Sequence, residues 1–213
     1  MDHHRRLDAE LDALRDRVLV LGGEAERALL RAMYALTERD SGAAREVLEG
    51  DDAIDRLCVD VLALRQPAAR DLRFVISVAK TTPILERLAD HACNIARVAL
   101  DLNDEPRLKH YPDLSRMADV ASSMLRRALD AFTQGDAASA RRIIEQDDEI
   151  DVMYERLFNS LIELMVAEPS STPRAARLLF VAKHLERIAD YVTDICELTV
   201  YMTEAAVIKH SYK

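Results

Sequence analysis

Apolar residues recur along this chain at intervals of three and four rather than two, the spacing that lines one face of a helix. In the stretch "LERLADHACNIA", Leu85, Leu88, Ala92 and Ile95 fall on one side. Glu86, Asp90 and Asn94 line up about 120° away at ~100° per residue, with Ala89 and Ala96 on the side nearest them. The rhythm divides the chain into six predicted helices, over residues 5–39, 41–64, 67–101, 114–133, 136–167 and 173–208. Strand-like alternation is absent. The last helix is opened by "SSTP", with Thr172 as cap and Pro173 at the first helical position. The third and sixth helices are about 35 residues and, at ~1.5 Å per residue, about 50 Å long, so they need partners to bury their stripes.

The pattern also repeats. "ALTERDSGAAREVLEGDDAID", from Ala35 to Asp55, aligns without a gap on "AFTQGDAASARRIIEQDDEID", from Ala131 to Asp151, 96 positions later. After a small insertion, Glu86 to Ile95 aligns on Glu186 to Ile195 at an offset of 100. The segment "NDEPRLKHYPDLS", with two prolines, separates the halves. The expected fold is therefore all-α: two tandem antiparallel three-helix bundles, over residues 1–104 and 111–213, formed by internal duplication.

Composition narrows the function. Hydrophobic residues make up 49% of the 213 and charged residues 31%, with only five Gly and six Pro, which excludes disorder and favours helix. The formal net charge of −9 argues against nucleic acid, whose phosphates must be met by Lys and Arg, and suits cations. The amino-terminal "MDHHRRLDAELDALRDR" has no apolar run of a secretory signal, and "VLVLGG" and "FVISVA" fall far short of the ~18 residues of a membrane span. A cytoplasmic location is expected. Cys58, Cys93 and Cys196 are odd in number and widely spaced, so they read as small buried residues rather than as disulfides or a zinc site.

Like charges stacked on one helix face need an explanation. Glu86, Asp90 and Asn94 form one stripe, and Glu186, Asp190 and Asp194 in "LERIADYVTDIC" form its copy. The second helix of each half adds another pair, Asp51 with Asp55 in "DDAID" and Asp147 with Asp151 in "DDEID". Carboxylates four apart repel by roughly 0.2–0.5 kcal/mol on an exposed helix, and by more where burial lowers the dielectric. An antiparallel bundle can turn the two pairs of each half toward one volume. Four hard oxygen donors there suit Mg²⁺, Mn²⁺, Ca²⁺ or iron, with water or phosphate completing the shell. The competing reading is that Arg87 and Arg187, three residues before Asp90 and Asp190, neutralise the stripes by ion pairing. Pairs such as Asp8 with Asp12 and Glu145 with Glu149 read as solvated faces.

These residues, together with "LALRQPAARDLRFVIS" from Leu62 to Ser77, make the chain resemble the PhoU family of phosphate-signalling regulators. The resemblance covers nearly the whole length and implies two three-helix bundles side by side. It further implies metal binding by acidic motifs, with iron or other divalent or trivalent ions (Mg, Mn, Zn) held in multinuclear clusters. Carried over residue by residue, the ligands are Asp51 with Asp55, Glu86 with Asp90, Asp147 with Asp151, and Glu186 with Asp190. The implied role is non-enzymatic: negative regulation of phosphate uptake and of the phosphate regulon, as a homodimer contacting the phosphate ABC transporter and its sensor histidine kinase, with membrane association only through those partners. Two departures stand out. Ala89 and Ala189 occupy places where the family usually has Gly, and "ARDLR" from Ala69 to Arg73 has no counterpart in the second half, where "STPRAAR" stands.

Other chemistry is poorly served. None of the six histidines lies three residues after a Glu, so the Glu-x-x-His signature of di-iron bundles is missing. His91 and His184 lie about 140° to 160° from their acidic stripes at ~100° per residue and read as surface or interhelix residues. Arg70 and Arg73 read as a solvated helix end. No phosphate-cradling Gly-rich loop, nucleophile elbow or HExxH occurs. The alternatives that remain are a carboxylate-ligated metalloenzyme acting on phosphate or oxygen, and a metal-free helical scaffold.

Overall fold

A computed structural model describes the backbone of residues 2–62, 72–108 and 112–208. Seven α-helices account for nearly all of it: α1 (Asp2–Thr37), α2 (Ser41–Leu62), α3 (Leu72–Asn103), α4 (Pro112–Gln134), α5 (Ala137–Glu145), α6 (Asp147–Ala167) and α7 (Thr172–Glu204), with a 3₁₀ turn at Pro169–Ser171. No strand occurs among the described residues. The predicted core stripe is buried as its spacing requires: Leu85, Leu88, Ala92 and Ile95 have no exposed surface.

The turn joining the first two helices of each half is built the same way twice. Arg39 and Gly135, 96 positions apart, both take left-handed backbone angles, with φ of 59° and 67°. The next residue then reaches back into the helix just ended: Asp40 N–H donates to Ala35 O at 3.0 Å, and Asp136 N–H to Ala131 O at 2.9 Å. Each of these aspartates caps the following helix, accepting from Ala43 N–H and Ser139 N–H.

Three predicted helix limits are corrected. The helix expected over 136–167 is broken at Gln146, where short i-to-i+3 bonds (Gln146 N–H to Ile143 O, Glu149 N–H to Gln146 O, both 3.0 Å) replace the helical ladder. The reason is legible in retrospect: Asp147, Asp148 and Glu149 put three successive acids in the first turn of α6, where the positive end of the helix dipole favours them. The last helix ends at Glu204 rather than at 208, because Ala205 turns left-handed with φ of 56°. Its start is corrected too: Ser171 is the N-cap and Thr172 the first helical residue, ahead of Pro173. The start predicted for the third helix, with Arg70, lies outside the described residues.

Within the first half α1, α2 and α3 pack on one another; in the second, α4 and α7 pack on each other and on α5 and α6. The halves join along two seams, α1 with α4 and α3 with α7. Along the latter, contacts pair Ser77 with Leu198, His91 with His184, and Asp101 with Arg177, so α3 and α7 run antiparallel. Buried apolar side chains from both halves form one continuous cluster. Placed this way, α2 lies against the outer flank of α3, and α6 against α7. Among the described residues no helix is long and apolar enough to cross a membrane.

Candidate functional site

The acidic rungs predicted on neighbouring helices lie near enough to act on one another's charge. Around Asp90, burial first and then the charges of Asp51, Glu86 and Asp55 hold its carboxyl above the usual carboxylate range, with Arg97 opposing. Around Asp147, which is only 3% exposed, burial and then the charges of Asp151, Asp190, Glu186 and Asp148 push the carboxyl up to about 7. Each half thus gathers the four carboxylates that the sequence assigned to it into one electrostatic neighbourhood, in the groove between α2 and α3 or between α6 and α7. A carboxyl raised in this way is one for which removing the proton concentrates negative charge in a poorly solvated place, and a cation relieves that cost.

The side chains as they stand are not closed around a point. Among the described residues, no three His, Cys, Asp or Glu side chains converge so as to hold a metal ion. Two of the carboxylates are instead held by cations of the same helix: Arg187 Nη1 lies 2.9 Å from Asp190 Oδ2, and Lys183 Nζ lies 2.6 Å from Glu186 Oε2. Lys183 also rests over the Tyr154 ring, 5.4 Å from its centroid. The intramolecular neutralisation foreseen for Arg187 is therefore present in the second half. In the first half the equivalent arginine takes a different role, since Arg87 acts on Asp194 across the α3–α7 seam. Arg97 there bonds Asn94 at 2.7 Å.

The donor set fits a hard cation chemically: four carboxylates per half, one of which, Asp147, is buried and disposed to keep its proton in the absence of a counter-charge. Uptake of an ion at the second cluster requires Arg187 and Lys183 to release their partners. Both are half-exposed side chains, and surface pairs of this kind are held by little free energy.

Sequence reasoning missed one participant. The Cys93 thiol donates to Asp51 Oδ1 at 3.3 Å and is pushed up to about 12 by burial and by that carboxylate. The signal was its place three residues beyond Asp90 on α3, where the second half has Thr193. Cys93 and Cys196 are free and buried, as expected, while the side chain of Cys58 lies outside the described residues. His91 and His184 are interhelix residues away from the acids: their Nδ1 atoms are 2.8 Å apart across the α3–α7 seam, and Tyr191 stacks beside His91 at 5.6 Å. Arg73 is exposed near the start of α3.

The chain is similar to known proteins along nearly its whole length. A family model described as the PhoU domain matches it twice, over residues 18–99 and 114–199. A phosphate-specific transport system accessory protein PhoU homolog of Pseudomonas putida is 36% identical, over 99% of this chain and 86% of that protein. The accessory protein PhoU of Escherichia coli K12 is 34% identical, over 96% of this chain and 88% of its own. Among solved structures, PhoU from Pseudomonas aeruginosa superposes with a TM-score of 0.85 at 35% identity, covering 93% of this chain and 99% of that one. The phosphate transport system regulatory protein PhoU from Streptococcus pneumoniae gives 0.85 at 33%, covering 96% and 100%.

Proposed function

This chain belongs to the PhoU family, and from that premise we propose that it is an accessory protein of phosphate-specific transport that restrains phosphate uptake and phosphate-regulon output. It acts without catalysis, by docking on the phosphate ABC transporter and its sensor histidine kinase. We place the two repeats at residues 1–104 and 111–213, joined by the proline-containing segment.

The metal reading deepens this role. Asp51, Asp55, Glu86 and Asp90 would hold ions in the first repeat, and Asp147, Asp151, Glu186 and Asp190 in the second. The metal would supply positive charge that cross-links α2 to α3 and α6 to α7. The chain's own contribution is to assemble the donors before any ion arrives: burial holds Asp147 in place, and the paired helices hold the remaining carboxylates at its side. A stiffened groove presents one fixed surface to partners, whereas a groove of repelling acids does not. The observation that carries the reading is the double occurrence of a carboxyl raised by burial and then by like charges of its own repeat, Asp90 in the first and Asp147 in the second.

A second reading is favoured by the Arg187–Asp190 and Lys183–Glu186 pairs: a metal-free scaffold whose acids are neutralised by its own cations. The two separate by elemental analysis of protein purified without chelator, together with a phosphate-starvation reporter in cells whose own copy is replaced by this chain. Stoichiometric metal, lost with derepression of the reporter when all eight acids are changed to Ala, is expected. Full repression by a metal-free chain would remove the metal from the mechanism while leaving the transport role intact.

A further inference from the structure

A cavity remote from both acidic clusters lies where the α1–α2 turn, the end of α3 and the following linker meet α4 and α7, with a volume of about 290 Å³. Leu102, Leu114 and Leu178 give it an apolar wall, and Arg39, Arg107 and Asn103 give it a polar one.

Arg39 occupies a costly position. Its φ of 59° lies in a region that L side chains rarely adopt, and its counterpart in the second repeat is Gly135, which adopts the same conformation without strain. An arginine kept where the duplicate uses glycine calls for a role of its side chain. The guanidinium donates to Asn103 O and Glu105 O, crossing from the turn to the linker. Arg107 crosses in the opposite sense, donating to Thr37 O at 2.6 Å. Two cations are thereby fixed at one mouth. Beside them, Asn103 braces the same corner, donating through its amide N–H groups to Ala35 O and Ser41 Oγ, at 3.4 and 3.1 Å.

We propose that this cavity binds a small phosphate monoester with a short apolar body. The two guanidinium groups suit a phosphate head, which is mostly doubly charged near neutral pH because its second ionisation lies near ~6, so that each negative charge meets a cation. A carboxylate head brings one negative charge rather than two to the same pair of cations. The leucine wall takes the apolar body. Residues of both repeats line the cavity, so occupancy fixes the joint between them, which gives a transport regulator an input separate from its acidic grooves. The inference does not depend on metal binding.

The full chain, freed of metal by chelator, is titrated calorimetrically with hexyl phosphate, hexanoate and inorganic phosphate. Saturable 1:1 binding of hexyl phosphate is expected, at least tenfold tighter than hexanoate or inorganic phosphate. Arg39→Gly adopts the backbone already used at Gly135, so the variant should stay folded, and together with Arg107→Gln it should weaken binding at least tenfold. Absence of saturable binding, undiminished affinity in either variant while its unfolding midpoint is unchanged, or equal affinity for hexanoate or inorganic phosphate would each overturn the proposal.

Discussion

Ser122 on α4 donates a 2.9 Å hydrogen bond to Glu26 on α1, and the two residues stand 96 positions apart, the same offset that relates the repeats. Each is the other's counterpart, so the α1–α4 seam crosses where equivalent residues meet. The α3–α7 seam behaves alike, with His91 lying against both His184 and Tyr191, the latter its own counterpart 100 positions on. The repeats thus join like with like, as the subunits of an isologous dimer do, but within one chain.

That close approach along α1 and α4 depends on Gly22, whose Cβ, if present, would lie 2.3 Å from Leu129 Cδ1. Gly22→Ala should cost on the order of 1–3 kcal/mol through overpacking, against less than ~1 kcal/mol gained in helix propensity. A net loss of about 1 kcal/mol is expected by urea unfolding. In a Leu129→Ala background the same change should become stabilising, because the obstructing methyls are gone. A double-mutant cycle with no coupling would place the contact elsewhere.

Asp147 sets one pH dependence. Folded, its carboxyl keeps its proton up to about 7; unfolded, it releases it near the ordinary 3.8. The folded state therefore binds more protons between these values, and metal-free protein loses stability through this group as pH rises from about 4 to 7, by on the order of 3 kcal/mol. Asp147→Asn should leave stability unchanged near pH 4 and raise it increasingly toward pH 8. Chemical unfolding of parent and variant across that range checks it, and a constant difference would contradict it.

His91 works in the opposite direction. Burial, then His184 and Arg187, lower its pKa from 6.5 to about 4, so the unfolded chain takes up a proton in this interval and the folded chain does not. Its contribution is fully present above about 6.5 and is lost as pH falls toward 4. Replacing His91 with Gln should flatten that acid limb by roughly 2–3 kcal/mol, after discount for partial solvation, as read from parent and variant unfolding at pH 4.5 and 7.

Metal should act on the two clusters separately. Adding Mn²⁺ to chelator-treated protein at pH 7 is expected to release protons and raise the unfolding midpoint, since ions bind the deprotonated folded state. Asp147→Asn with Asp190→Asn should halve the bound stoichiometry, and Asp51→Asn with Asp90→Asn should remove the other half. Unchanged stoichiometry in both double variants would sink the assignment of these acids.

Most of the architecture could be read from spacing. The intervals of Leu85, Leu88, Ala92 and Ile95 fixed which face of α3 goes inside, because apolar area has one low-energy side to turn to. Duplication alone matches α2 with α5 and α6 taken together, and α3 with α7. The break at Gln146 went unread because no Gly or Pro marks it; a run of three acids seeking a helix start does so more quietly.

Local sequence thus determined the helices, the repeat and the acids that share a groove, since each follows from periodicities a few residues long. Only the tertiary structure decided that Arg187 and Lys183 pair with two of those acids, that the Cys93 thiol leans on Asp51, that His91 finds His184, and that Arg39 is strained across the linker. These contacts link residues on different helices or choose among rotamers on one. Their energies arise from the burial and geometry of the assembled bundle, which no local pattern encodes.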